Sequence, residues 1–243
     1  MDLRKNTPVN LSIYGAVTVG TIVGEITGVH GLVYVCKPLM MLVLSSWFFY
    51  NSRRVGDRFT LLIQAGLIFS LVGDVALMFQ HLDEFNFLIG LGAFLIAQLC
   101  FAMGFLQNIL DTSTPRGWLL SGSLSVVILA YGYFFASTLL PSVDEGIAAP
   151  VMIYTAAITF MGVAAAFRFG RTFLRSFLFV LLGALLFILS DSLLATDRFL
   201  RPLHHAPWSV LWTYAVAQLL ITSGALMHVL DPAEIRRKAA LNT

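Results

Sequence analysis

FSLVGDVALMF, Phe69 to Phe79, reads as part of a membrane span at every position but one. The exception is Asp74. An aspartate near the middle of a span costs roughly 2.5–3.5 kcal/mol on the insertion scale, so its side chain must face a protein interior or a wet cavity. The same anomaly recurs around Asp191 in FILSDSLLA, Phe187 to Ala195. Two carboxylates in separate apolar runs predict several helices gathered around them.

The rest of the chain agrees with that reading. Of its 243 residues, 58% are apolar and only 12% are charged, half the share expected of a soluble domain. Mean hydropathy is +0.84. Apolar windows of about 20 residues predict eight spans, near 9–28, 31–50, 60–80, 86–107, 117–140, 148–168, 176–197 and 207–230. The expected architecture is an all-α, polytopic membrane helix bundle forming a single transmembrane domain over 1–243. Every connection is short, so no linker or soluble domain is expected. The first span runs the full membrane width, carries Glu25 and lacks a small-residue cleavage site, so it is read as retained and not as a signal peptide. Cys36 and Cys100 lie in apolar runs and suggest packing, not disulfides. No basic patch is interleaved with aromatics, which excludes nucleic acid as a partner. The bilayer itself is the expected surrounding.

Charge gives an orientation. The tails and even-numbered loops hold Arg4, Lys5, Arg53, Arg54, Arg58, Arg116, Arg168, Arg171, Arg175, Arg236, Arg237 and Lys238, whereas the odd-numbered loops hold only Arg198 and Arg201. By the positive-inside rule both termini face the cytoplasm, and in a bacterium the membrane would be the inner one. Glu25, Lys37, Asp74, Tyr154, Asp191 and Tyr214 then share one layer in the outer half of six spans, with Gln98 and Gln218 near mid-depth. Tyr214 and Gln218 are four residues apart and share a helix face.

Short matches suggest an internal repeat. Gly66, Asp74 and Leu77 fall on Gly183, Asp191 and Leu194 at an offset of 117, and Ala97-Gln98-Leu99 falls on Ala217-Gln218-Leu219 at 120. Pro38 and Met40 fall on Pro150 and Met152 at 112. An offset of four spans preserves direction, so spans 1–4 and 5–8 would form a parallel repeat that turns the two aspartates toward each other. Gly20, Gly24 and Gly28 form a small-residue ridge on the first span, suited to close helix approach.

Two such carboxylates can act as polar staples between helices, with Lys37 as a counter-ion. They can also do chemistry. Low-dielectric surroundings favour a neutral carboxyl and a second carboxylate nearby favours it further, so a pair can hold one protonated and one ionised group. That is the equipment for acid catalysis through an oxocarbenium-like cation. Lys37 is equally suited to a phosphate, and Pro38 beside it should perturb the helix. Arg198, two turns beyond Asp191, also suits a phosphate. His30, His81, His204 and His205 fit no zinc spacing, so no metal and no cofactor are assigned. The residues alone leave open a proton-coupled transporter using the aspartates as a relay, and a metal-dependent lipid hydrolase.

GLIFSLVGDVALMF, GALLFILSDSLLATDRF, CKPLMM and YAVAQLLI together resemble the YhhN-like family of lysoplasmalogenases. The resemblance covers nearly the whole chain. It implies an eight-span ether hydrolase that uses water to cleave the vinyl ether of a lysophospholipid, releasing a fatty aldehyde and glycerophospho-choline or glycerophospho-ethanolamine. The family's motif aspartates fall on Asp74 and Asp191 as the catalytic pair, and its lysine falls on Lys37. Around them, Lys37 and Arg198 would hold phosphate, and Tyr154, Tyr214, Gln98 and Gln218 would line the pocket with Glu25 at its wet edge. Where the family is expected to carry Ala-His, this chain carries Ala97-Gln98. Head-group preference and homo-oligomerisation are left open.

Overall fold

The computed structural model describes residues 3–53, 55–110, 117–232 and 235. Among these the chain is helical: α1 (Thr7–Thr27), α2 (His30–Ser52), α3 (Arg58–Met78), α4 (Glu84–Leu110), α5 (Trp118–Leu139), α6 (Glu145–Ala166), α7 (Leu174–Ala195) and α8 (Ala206–Val229). All eight are long and apolar enough to cross a membrane. Arg54, Arg116, Arg236, Arg237 and Lys238, five of the cations used to infer orientation, lie outside the described residues.

Local chemistry sets several helix ends up to three residues from where hydropathy alone would put them. The Asn6 side chain accepts from the Val9 N–H at 3.3 Å, and Asp57 accepts from the Thr60 N–H at 2.9 Å, so α1 and α3 start one residue later. Gly28 ends α1 in the left-handed region at φ 71°, where a Cβ would be strained. The glycine ridge therefore divides its work. Gly24 lies where an added Cβ would meet Val33 at 2.8 Å, holding α1 close to α2, while Gly28 turns the chain. α2 runs unbroken through Pro38.

Seven helices close a ring in the order α1, α2, α3, α4, α6, α7, α8, with α8 returning to α1 and also touching α2 and α3. The tightest pairs are α3 with α4 and α7 with α8. α5 stands outside the ring, packed on α6 and against a π-helical turn, Thr196–Leu200, that continues α7. Its outer face, with Leu119, Tyr133 and Phe134, is exposed as a lipid-facing side should be. Inside, Phe48, Phe101, Phe105 and Phe187 are wholly buried. Lipid tails are as apolar as these side chains, so the bundle is held by close packing and interhelical hydrogen bonds more than by hydrophobic transfer. Gly183 is one contact point, since an added Cβ would lie 2.9 Å from the Ala217 carbonyl of α8.

The end of the bundle away from the aspartates holds a second polar cluster. Arg168, expected in a loop, is wholly buried. Its Nε donates to Asn108 at 2.9 Å and one terminal nitrogen donates to Ser176 Oγ at 3.0 Å. Ser176 donates on to the Gly224 carbonyl, and Asn108 meets His228 at 2.8 Å. Phe59 and Phe105 cover the guanidinium. Burial pushes its pKa down from the usual guanidinium range to about 9, so it stays charged at neutral pH. The cation thus ties α4, the α6–α7 turn and α8 together.

Candidate active site

A cavity of about 320 Å³ opens at the end of the bundle where α1 meets α2, α3 meets α4, α5 meets α6 and α7 meets α8. Seven of the nine expected site residues line it: Glu25, Lys37, Asp74, Tyr154, Asp191, Arg198 and Tyr214. Gln98 and Gln218 do not. Both are wholly buried behind the tyrosines, because α4 and α8 pack those faces against neighbouring helices and not against the opening.

Each aspartate sits four residues before the last residue of its helix, Asp74 on α3 and Asp191 on α7. Each is held the same way. The Tyr214 hydroxyl of α8 donates to Asp74 Oδ2 at 2.7 Å, and the Tyr154 hydroxyl of α6 donates to Asp191 Oδ2. A glutamine stands behind each tyrosine. Gln218 Nε2 donates to the Tyr214 hydroxyl at 3.3 Å and to Ser70 Oγ at 2.9 Å. Gln98 approaches the Tyr154 hydroxyl, although neither of its polar atoms completes a hydrogen bond. The Tyr214 ring is fixed by edge contacts with Phe94 and Phe187 at 5.8 and 5.4 Å between centroids. With Oδ2 of each carboxylate taken by a tyrosine, Oδ1 of each makes no hydrogen bond to a described residue.

The two carboxylates differ in access and in neighbours. Asp74 is 2% exposed, whereas Asp191 is partly open to the cavity. The charge of Lys37 acts on Asp74, with no direct ion pair between the two. At the rim, Arg198 stacks 3.9 Å above the centre of the Phe87 ring and donates to Gln80 at 3.3 Å. The π-helical turn carries Arg198 and also Asp197, whose carboxylate accepts from the Leu203 N–H at 2.7 Å and holds the following loop. Among the described residues no three His, Cys, Asp or Glu side chains gather as a metal group would.

Ser70, Gln80 and Tyr14 were missed in the sequence. Ser70 was reachable, since it lies four residues before Asp74 on the same face. Tyr14 had no such signal. Its hydroxyl donates to the Ala215 carbonyl at 2.7 Å, tying α1 to α8 one residue past Tyr214. Chemically, the site offers two carboxylates of matched geometry, each with one oxygen fixed and one free, below a rim carrying a cation.

A family model described as the YhhN family matches residues 32–225. The chain is 32% identical over 194 residues to lysoplasmalogenase TMEM86B of Homo sapiens, covering 79% of this chain and 73% of that protein. It is 30% identical over 204 residues to lysoplasmalogenase TMEM86A of Bos taurus, covering 79% and 76%. It is 28% identical over 142 residues to the lysoplasmalogenase of Mycobacterium tuberculosis, covering 57% and 50%. No solved structure gives a significant match.

Proposed function

We propose, because this chain belongs to the YhhN family, that it is a multi-pass membrane hydrolase cleaving the vinyl ether of lysoplasmalogens, the activity for which its human, bovine and mycobacterial relatives are named. The observation that carries the reading is the pair of tyrosine-held carboxylates sharing one cavity. Carboxyl pairs suit reactions that pass through an oxocarbenium-like cation.

Asp191 is the acid. From its free oxygen it gives a proton to the vinyl carbon remote from the ether oxygen, using the C=C electron pair and leaving an oxocarbenium ion. Asp74, beside the Lys37 charge, is the ionised partner. It stabilises that cation and takes a proton from water as the water oxygen adds to it. The hemiacetal then collapses: its hydroxyl gives a proton to Asp191 and its bond to the glycerol oxygen breaks as that oxygen takes the proton held by Asp74, so a fatty aldehyde leaves and both carboxyls return to their starting states. Tyr154 and Tyr214 are positioning residues that present the free oxygens. Lys37 and Arg198 hold the phosphate, with Gln80 bracing Arg198. Gln218 fixes Tyr214 from behind.

The finer architecture follows the same line. Both termini face the cytoplasm and the cavity opens to the other side. The two four-helix halves form a parallel repeat. This is supported by the matching tight pairs α3–α4 and α7–α8, and by Gly66 facing Phe101 where Gly183 faces Ile221.

The test is aldehyde release from a defined lysoplasmalogen by purified protein, beside Asp191→Asn and a chelator. Aldehyde from the native protein, none from the variant and no chelator effect is the expected result. Loss on chelation with recovery on zinc would move the assignment to a metal hydrolase. Solute counterflow in liposomes without any chemical change would move it to transport.

A further inference from the structure

The Tyr154 and Tyr214 hydroxyls each give their hydrogen to an aspartate, so only their lone pairs remain for the groups behind them. A glutamine can meet such an oxygen only with its amide nitrogen. Gln218 does so, donating from Nε2 to Tyr214 at 3.3 Å and to Ser70 at 2.9 Å. Gln98, whose side chain approaches Tyr154, is held to the same orientation. Each amide is thereby left with its carbonyl oxygen turned away from its tyrosine. Both glutamines are wholly buried, and neither oxygen has a hydrogen-bond partner among the described residues.

Helix register brings these two oxygens into one layer. The Phe94 ring meets the Tyr214 ring edge-on at 5.8 Å between centroids. Gln98 follows Phe94 by four residues on α4, and Gln218 follows Tyr214 by four on α8. The two helices lie four spans apart and run the same way, so both glutamines sit one turn, about 5.4 Å, beyond that ring contact. α3 fixes the same level. A Cβ on Gly73 would lie 2.6 Å from the Phe94 ring and one on Gly66 would lie 2.5 Å from the Phe101 ring, which sets Ser70 opposite Ala97. Gln218, in bonding Ser70, therefore reaches the chain neighbour of Gln98. Thr222, one turn further along α8, adds a third wholly buried group, a hydroxyl that also has no partner among the described residues.

We propose that Gln98, Gln218 and Thr222 hold one buried water, which donates to both amide oxygens and accepts from the Thr222 hydroxyl. Two acceptors cannot satisfy one another, whereas water brings an O–H group to each, and about three hydrogen bonds is the ordinary complement of a buried water. The water closes a chain from Asp74 through Tyr214 and Gln218 to Gln98, Tyr154 and Asp191. The two carboxyls are then aimed as a pair and not one by one. What the chain transmits is the orientation of the tyrosine hydroxyls, so Gln98 and Gln218 are positioning residues; that consequence rests on the hydrolytic reading above, while the water site itself does not.

Methionine keeps the length of glutamine and removes the amide. Gln98→Met should lower kcat roughly fivefold, the effect of losing one net hydrogen bond, and leave KM unmoved because the residue does not line the cavity. Gln218→Met, which also loses Tyr214 and Ser70, should cost more. Substitutions without a shared partner add in a double variant. Here the first removes the bridge, so Gln98→Met in the Gln218→Met background should cost less than about twofold, and the thermal midpoint should show the same shortfall. In the native protein, a map that resolves ordered water should show density within hydrogen-bond reach of both oxygens. Sub-additive losses together with that density are the expected result. Additive losses in the thermal midpoint overturn the water bridge, as does a map in which the two oxygens stand apart with nothing between them. A native midpoint that rises with sodium and not with choline overturns it in favour of a bound cation. If the native protein releases no aldehyde from lysoplasmalogens, the hydrolytic reading falls, while the midpoint cycle and the map still decide the water.

Discussion

Removing one oxygen atom, by Tyr214→Phe, tests the site most directly. The ring keeps its edge contacts with Phe94 and Phe187, so packing is preserved. Gln218 keeps its bond to Ser70 at 2.9 Å and loses only its longer bond to the hydroxyl, at 3.3 Å. What disappears is the hydroxyl that donates to Asp74 Oδ2 at 2.7 Å. A hydrogen bond to a charged group contributes about 1.5–3 kcal/mol, and at about 1.4 kcal/mol per decade that corresponds to a roughly ten- to 150-fold fall in kcat/KM. The assay is continuous detection of aldehyde from purified protein, with the thermal midpoint measured in parallel. The double variant with Asp74→Asn separates orientation from general damage. If Tyr214 acts through Asp74, adding Tyr214→Phe to Asp74→Asn costs little further. A single variant with native kcat/KM, or a double variant showing the full extra loss, would refute the reasoning.

Other outcomes follow from the same geometry. Asp191→Asn should lower kcat by at least about a hundredfold while leaving the thermal midpoint within a few degrees of native, as measured by light-scattering or fluorescence melts. Arg168→Ala should leave kcat per folded molecule unchanged but lower stability by roughly 3 kcal/mol, because Asn108 and Ser176 lose their buried partner; the readout is the denaturation midpoint in detergent. Gly183→Ala should force α7 from α8 against the Ala217 carbonyl and cost on the order of 1–3 kcal/mol, visible in the same melt. Cysteine introduced at Arg198 should react with an impermeant maleimide added outside sealed, right-side-out vesicles, and a cysteine at Arg53 should not.

Hydropathy made eight helices legible because each apolar run must satisfy its own backbone in lipid. The anomalous aspartates were legible for the same reason. What a single chain could not supply was azimuth. Gln98 and Gln218, expected to line the pocket, instead sit behind the tyrosines, since the direction a side chain takes depends on which helices are neighbours. The position of α5 outside the ring is a fact of that kind. Arg168 was legible in part: it lies in the α6–α7 turn as a loop cation should, but the pattern gave no sign that the turn folds it under Phe59 and Phe105.

The ring also has a consequence for biosynthesis. Asp74 is translated in the third helix, but the tyrosine that holds it comes from the eighth, 140 positions later. The bond from Tyr14 to the Ala215 carbonyl likewise waits for that last helix. A nascent chain threading into the bilayer therefore carries both carboxylates before it can aim Asp74. Under the proposed mechanism, catalytic competence arrives only when α8 docks and Tyr214 meets Asp74.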